Sequence, residues 1–206
     1  MDFFTADWHL DHKNIIKFCD RPFNDTIEMG VTIINGCNEV MGPDDRLFHL
    51  GDVTGGRSDN YGRWLNQLTC RNLFLFPGNH DKRLRELAKF FTILEIPYGY
   101  YDYVDPDDRN YHIILHHHAI RVWPHAHHGW GHLYGHSHGK LSKPVTSKGN
   151  GAMAFDVGVD AWGFKPLSLV QVKAEFKRLA SLNLTQTTLS KANIIDDHHE
   201  SEDDEE

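Results

Sequence analysis

Apolar and polar positions alternate along this chain in two different rhythms. The opening "MDFFTA" reads as a short buried strand that ends at Asp7. In "DTIEMGVTIINGCNEVMGP", Asp25 stands three residues before Glu28, a capping-box spacing. Ile27, Val31 and Ile34 follow at helical intervals, Cys37, Val40 and Met41 continue the apolar stripe, and Gly42-Pro43 stops the helix. "RLFHL" is a second strand leading into Gly51-Asp52, "NYGRWLNQL" a helix, and "NLFLF" a third strand. "DKRLRELAKFF" is a further helix with Leu84, Leu87 and Ala88 on one side. This alternation predicts an α/β protein, a sheet with helices packed on it.

The second half changes character. "YGYYDYV" and "RNYHIILHHH" flank the turn-rich "DPDD", as in an antiparallel pair. "HLYGHSHG", "AMAFDVGV" and "LSLVQV" read as three more strands, and "KLSKPVTSKGNG" as an exposed loop. After Ser181 the pattern dissolves into polar residues, which predicts a frayed helix and then a tail. The expected organisation is a single domain over residues 1–180 and a polar, acidic, disordered segment over 181–206.

Bulk properties narrow the class. Of 29 acidic residues eight lie in the last eleven, "DDHHESEDDEE", so the body carries 21 acidic against 21 basic groups. The net charge of -8 therefore belongs to the tail, which aids solubility or docks a protein partner. A neutral body offers no electrostatic footprint for nucleic acid. No run reaches the roughly 18 apolar residues of a membrane span, and no basic segment precedes an apolar one at the N-terminus. Cys19, Cys37 and Cys70 are odd in number and form no CxxC, which suits reduced thiols in the cytoplasm.

The 16 histidines gather mostly between His112 and His138, and they direct attention to the strand ends. Asp7-Trp8-His9 follows the first strand and Gly51-Asp52 the second. Pro77-Gly78-Asn79-His80-Asp81 follows the third, His116-His117-His118 a later one, and Gly135-His136-Ser137-His138 another. Ligand sites form at the carboxyl ends of strands in α/β sheets. Asp, Asn and His without thiolate suit Mn, Fe, Ni or Zn in a catalytic setting. Seven candidate ligands (Asp7, His9, Asp52, Asn79, His116, His136 and His138) exceed one coordination sphere and suit two ions sharing a carboxylate. Glycines beside Asp52, Asn79 and His136 let the backbone turn closely there.

The series D-x-H, G-D, G-N-H-D, a histidine after a strand, and G-H-x-H resembles the calcineurin-like metallophosphoesterases. Similarity to short bacterial and phage members extends to "NIIKFCDRPF" and "VGVDAWGFKPLSL" and spans about residues 1–175. The resemblance implies a two-layer β sandwich flanked by helices, a four-layer α-β-β-α arrangement. It implies two divalent transition-metal ions, Mn²⁺ foremost, with Fe, Ni or Zn as alternatives. One ion is expected on Asp7, His9, Asp52 and His138, and the other on Asp52, Asn79, His116 and His136. His80 is the expected non-ligand catalytic histidine, and a metal-bridging hydroxide would attack a small, nucleotide-like phosphodiester directly. His116 is chosen from the triplet because it directly follows "IIL", with His117 and His118 as rim or packing residues.

One departure stands out. Many relatives carry Asp or Asn three residues after the second-motif Asp, where this chain has Gly55, so Asp81 or a carbonyl would have to orient His80. Arg21 is a candidate phosphate contact or a loop salt bridge. Trp123 and Trp130 are candidates for an aromatic wall or for core packing, and His125, His127 and His128 are candidates for the pocket lining. The competing functional readings are a phosphomonoesterase or nuclease on the same residues, and a non-catalytic protein-binding scaffold that keeps the fold.

Overall fold

The computed structural model describes residues 1–55, 61–141, 145–146 and 153–196. Among the described residues ten strands form two five-stranded sheets. The first sheet contains β1 (Asp2–Thr5), β2 (Arg46–His49), β3 (Asn72–Leu75) and β4 (Thr92–Ile93), all parallel, with β10 (Leu167–Ser168) antiparallel beside β1. The second sheet runs β5 (Tyr101–Val104), β6 (His112–Leu115), β7 (Gly131–Tyr134), β9 (Met153–Asp156) and β8 (Val145–Thr146). Its central strands β6, β7 and β9 are parallel, and β5 pairs antiparallel with β6 across the "DPDD" turn. The helices are α1 (Lys13–Phe18), α2 (Thr26–Val40), α3 (Gly62–Leu65), α4 (Leu84–Leu87) and α5 (Leu169–Asp196).

Strand alternation sorts the core. Register places Phe4, Phe48 and Phe74 in one row and Phe3, Leu47 and Leu73 in the row behind it. The first row faces the second sheet, with rings stacked at 5.5 and 5.0 Å and Tyr103 edge-on to Phe4 and Phe48. Ile113, Leu115, Leu133 and Phe155 meet it from the other side. Each such ring or branched side chain contributes about 1.5–3 kcal/mol through burial. The second row meets α2 and Trp64 of α3.

At the amino end of β1 the Asp2 carboxylate accepts from Arg46 Nε at 2.7 Å and from Tyr103 Oη at 2.5 Å. One buried carboxylate thus joins the two sheets.

Four expectations need correction. The buried face of α2 is Met29, Ile33, Ile34 and Cys37, while Ile27, Val31 and Val40 are exposed. Gly30 decides this rotation, because a Cβ there would lie 2.4 Å from the Trp64 ring. Asp25 does cap α2, accepting from Ile27 N and Glu28 N, but Glu28 reaches Asn24 N rather than closing the box on Asp25. "LSLVQV" is strand only at Leu167–Ser168, after which Leu169 begins α5. The helix continues past Ser181 to Asp196, and the last ten residues lie outside those described. Among the described residues, a loop packs on the outer face of the second sheet. Trp123 and Ala126, beside a 3-10 turn at Ala126–His128, pack there on Ile114, Tyr134 and Ala154.

The two sheets are joined at one rim. Beyond β1, Ala6 bridges in parallel to Gly158, which follows β9. The carboxyl ends of β1, β2 and β3 therefore open on the same side as those of β6, β7 and β9.

Candidate metal centre

Residues just beyond these strand ends converge at the shared rim. Asp7, His9 and His138 offer ligand atoms within 4.8 Å of one another. So do His9, Asp52 and His80; Asp7, Asp52 and His117; and His117, His118 and His136. Asp52 and His9 are central: His9 Nε2 lies 3.5 Å from Asp52 Oδ2, and both side chains are buried.

The backbone is bent to make this possible. Among the described residues nine non-glycine positions have positive φ, and five of these are expected ligands: Asp7, His9, Asp52, His136 and His138. Each such conformation costs on the order of 1 kcal/mol and persists only where surrounding contacts enforce it. Glycines give the carboxylates room. A Cβ on Gly78 would sit 2.2 Å from Asp52 Oδ1, and one on Gly158 2.6 Å from Asp7 Oδ2.

Two buried carboxylates pin the loops that carry these residues. Asp81 accepts from the backbone N–H groups of Asp52, Val53 and Gly78 at 2.7, 3.0 and 2.9 Å. It thus joins the loop after β2 to the loop after β3, and its oxygens serve backbone donors instead of orienting His80. Asp156 does the same for the G-H-S-H turn, accepting from Ser137 Oγ, Gly139 N and Gly158 N.

The histidine triplet resolves against the expected register. His116 Nδ1 accepts from the His118 backbone N–H at 2.9 Å, and its ring packs on Phe76 at 5.2 Å. His117 is the ring that faces Asp52 and Asn79. It is buried, its Nδ1 donates to the Leu50 carbonyl at 2.7 Å, and its Nε2 lies 3.1 Å from Asn79 Oδ1 and 3.4 Å from Asp52 Oδ2. A histidine tied through Nδ1–H to a carbonyl and presenting Nε2 to oxygen ligands has the geometry of a metal ligand. His118 joins it at the exposed edge, its ring 4.3 Å from that of His136.

Of the two readings for Arg21, the structure shows the salt bridge and not a free phosphate contact. Arg21 is buried, and all five of its N–H groups are taken: by Asp160 Oδ1 and Oδ2, the Asp7 and Trp8 carbonyls, and Met29 Sδ. A guanidinium with no spare donor has nothing left for a substrate phosphate.

His12 has no counterpart among the expected site residues. Its ring lies 5.5 Å from His9 and 5.8 Å from His80, and its buried Nδ1 has no hydrogen-bond partner. A Cβ on Gly55 would come within 2.5 Å of His12 Cβ, so His12 occupies the space that a side chain at position 55 would need. Trp123 Nε1 donates to the Trp130 carbonyl, and Trp123 is core. Trp130 stacks on His112 at 3.9 Å and meets His125 at a tilt at 4.3 Å, beside the amino ends of β6 and β7 and away from the rim.

Burial pushes the Asp7 carboxyl up to about 7, Asp156 adds to this, and His138 and His117 partly offset it. Burial opposes ionisation of Asp52 too, but His117, the His80 N–H and His9 outweigh it and hold Asp52 below the usual carboxylate range. Burial pushes the His9 imidazole down to about 2, so the ring is neutral. In His117 burial is outweighed by the bond and charge of Asp52, which raise it.

The donor set fits divalent ions on one further observation. Asp7 Oδ1 and both nitrogens of His9 are buried without any hydrogen-bond partner. Such atoms cost on the order of 1–3 kcal/mol each unless something meets them, and a cation within the cluster would meet Asp7 Oδ1 and one nitrogen of His9.

Comparison with known proteins gives the fold a counterpart. No family model matches the chain. An uncharacterized protein of Methanocaldococcus jannaschii is 27% identical over 168 residues, covering 81% of this chain and 86% of the relative. The Gene 66 protein of Mycobacterium phage L5 is 28% identical over 81 residues, 38% of each. The crystal structure of a protein of unknown function from Aquifex aeolicus matches with a TM-score of 0.66 at 23% identity, over 84% of this chain and 98% of that one. That likeness is one of fold: a mixed α/β protein of two sheets with helices packed around them. Among the described residues no helix is long and apolar enough to cross a membrane.

Proposed function

We propose that this chain is a dinuclear metal-dependent phosphoesterase of the calcineurin-like type, acting on a small phosphodiester. The observation that carries the reading is the convergence of Asp7, His9, Asp52, His117 and His138 at one rim, with Asp7 Oδ1 and both His9 nitrogens buried and unpartnered. Asp7, His9 and His138 would hold one ion, Asn79, His117 and His136 the other, and Asp52, within reach of both groups, would bridge them. A bound ion pair supplies Lewis acidity at the phosphoryl group and acidifies a water for in-line attack.

The chain's own groups do the rest. Asp52 stays ionised and is aimed by the His80 N–H, which donates to its Oδ1 at 2.8 Å. The His80 ring stands beside His9 at 5.0 Å and is half-buried, so it can face an incoming ester and pass a proton to the leaving oxygen. His12, also half-buried, flanks His80 on the side where Gly55 leaves room. Asn79, His118 and His136 are exposed and form the outer lip of the site. All three cysteines are free, which supports a reducing compartment, the cytoplasm.

The test is hydrolysis of bis-p-nitrophenyl phosphate by metal-stripped chain reloaded with Mn²⁺, beside Asp52→Asn. Turnover that requires added metal and is lost in the variant supports the reading. A chain that binds no metal refutes it. Two bound ions without turnover, on this diester and on its monoester, would favour the scaffold alternative.

A further inference from the structure

We propose that Asp160, locked in place by Arg21, is a positioning residue that sets His138 as a ligand through Nε2 and at the same time braces the turn carrying Asp7. The inference rests on the metal-centre reading above and concerns two residues outside the ligand set.

Arg21 lies just beyond α1 and Asp160 in a 3-10 turn at Val159–Ala161 after β9. Although 139 positions apart, they form a bidentate pair: Arg21 Nε donates to Asp160 Oδ1 at 2.7 Å, and Nη2 to Oδ2 at 2.8 Å. Both side chains are buried, which suits a fork-to-fork pair that must hold one geometry. Asp160 Oδ2 has a second donor, the Nδ1–H of His138, at 2.7 Å. A neutral imidazole that donates from Nδ1 carries its lone pair on Nε2, and His138 shares the cluster of Asp7 and His9. The carboxylate therefore fixes both the tautomer and the ring orientation.

The same guanidinium acts on the backbone. Arg21 Nη2 donates to the Asp7 carbonyl at 2.7 Å and Nη1 to the Trp8 carbonyl at 3.0 Å. These carbonyls belong to the left-handed turn of Asp7 and His9, with φ of 59° and 50°. One buried cation thus ties together three expected ligands of one ion: Asp7 and His9 through their turn, and His138 through Asp160. Cys19 also lies within 4.8 Å of His138 and Asp160, but burial and the Asp160 charge push its thiol up, so it stays protonated beside them.

The role makes an asymmetric forecast. Outer partners of metal-bound histidines are worth about 10–100-fold in metal affinity. Asp160 reaches the His138 side only, so its loss should weaken one ion and spare the other. Asp160→Asn keeps an oxygen for Nδ1–H if its amide nitrogen turns to the Arg21 Nε side, so it should rescue part of what Asp160→Ala loses.

Three full-length proteins would be studied: wild type, Asp160→Asn and Asp160→Ala, with Arg21→Lys in reserve should Asp160→Ala fail to fold. Long-range ¹⁵N–¹H spectra of stripped wild type read the His138 tautomer without any variant. The Nδ1–H form is expected, and the Nε2–H form would overturn the proposal. Calorimetric titration with Mn²⁺ then counts and ranks the ions. Two ions in wild type, with one weakened about 10–100-fold in Asp160→Ala and less in Asp160→Asn, is the expected result. Two ions bound equally well by wild type and Asp160→Ala would overturn the inference while leaving the dinuclear reading intact. No ion in wild type would overturn that reading first and this inference with it.

Discussion

Replacing Asp81 tests whether the rim is held together from beneath. The carboxylate is buried and accepts three backbone N–H groups, two from the loop after β2 and one from the loop after β3. Oδ2 takes Asp52 N and Gly78 N, and Oδ1 takes Val53 N. In Asp81→Asn the amide oxygen is best placed on the Oδ2 side, where it keeps two donors. Its NH₂ then faces the Val53 N–H, leaving one buried donor unmet at about 1–3 kcal/mol. Asp81→Ala leaves three donors unmet, which sets a floor of about 3 kcal/mol even when each costs the minimum. Against a total stability of about 5–15 kcal/mol that is a large share. Urea unfolding followed by circular dichroism would read both variants as shifts in midpoint at constant slope. The ordering wild type, Asn, Ala is required. An Asp81→Ala protein within about 0.5 kcal/mol of wild type, the range of ordinary surface substitutions, would refute the clamp.

Two further outcomes follow from the geometry. His117→Ala should reduce Mn²⁺-dependent turnover by at least about 100-fold, the upper end of what an outlying partner of a ligand costs, while His116→Ala stays within a few-fold; parallel assays on the diester decide, and the reverse order would restore the sequence register. His132 should make stability pH-dependent, because burial pushes its imidazole down to about 4 from 6.5. Its Nδ1 donates to the Ile114 carbonyl, and its Nε2 accepts from Ile120 N–H. The unfolded chain takes up a proton below pH 6.5 and the folded chain only near 4. Stability from this group is therefore complete above 6.5 and is lost as pH falls to about 4, by about 3 kcal/mol in all. Urea midpoints of wild type and His132→Gln between pH 7.5 and 4.5 measure it, and parallel pH slopes for the two proteins would contradict it.

The elements whose neighbours in sequence define them were legible from the residues. Asp25 reads as a helix cap and caps α2; "YGYYDYV" and "RNYHIILHHH" read as an antiparallel pair and form β5 and β6. The polar punctuation after β1, β2, β3, β6 and β7 also marked the side chains that converge at one rim. What failed was orientation. Ile27 and Val31 have helical spacing, but Gly30 against Trp64 turns the buried face toward Met29 and Ile33, keeping Ile34 and Cys37 and leaving Ile27 and Val31 exposed. His116 adjoins the strand, but past Leu115 the chain leaves the pleat, and alternation no longer tells which ring points inward. Arg21 reads as either a phosphate contact or a salt bridge because nothing near it in sequence announces Asp160, and the structure selects the salt bridge.

The sequence by itself determined the strand–helix order, the turn positions and the ligand-type residues at the strand ends, because periodicity, capping and turn chemistry act within a few residues. Tertiary structure alone decided which of those side chains face one another. The left-handed backbone at Asp7, His9, Asp52, His136 and His138 is costly in isolation. It is maintained by Asp81, Asp156, Arg21 and closely fitted glycines, several of which reach it from distant parts of the chain. Contacts of that kind have no local signature, so the residues that aim the site became visible only once the two sheets had met.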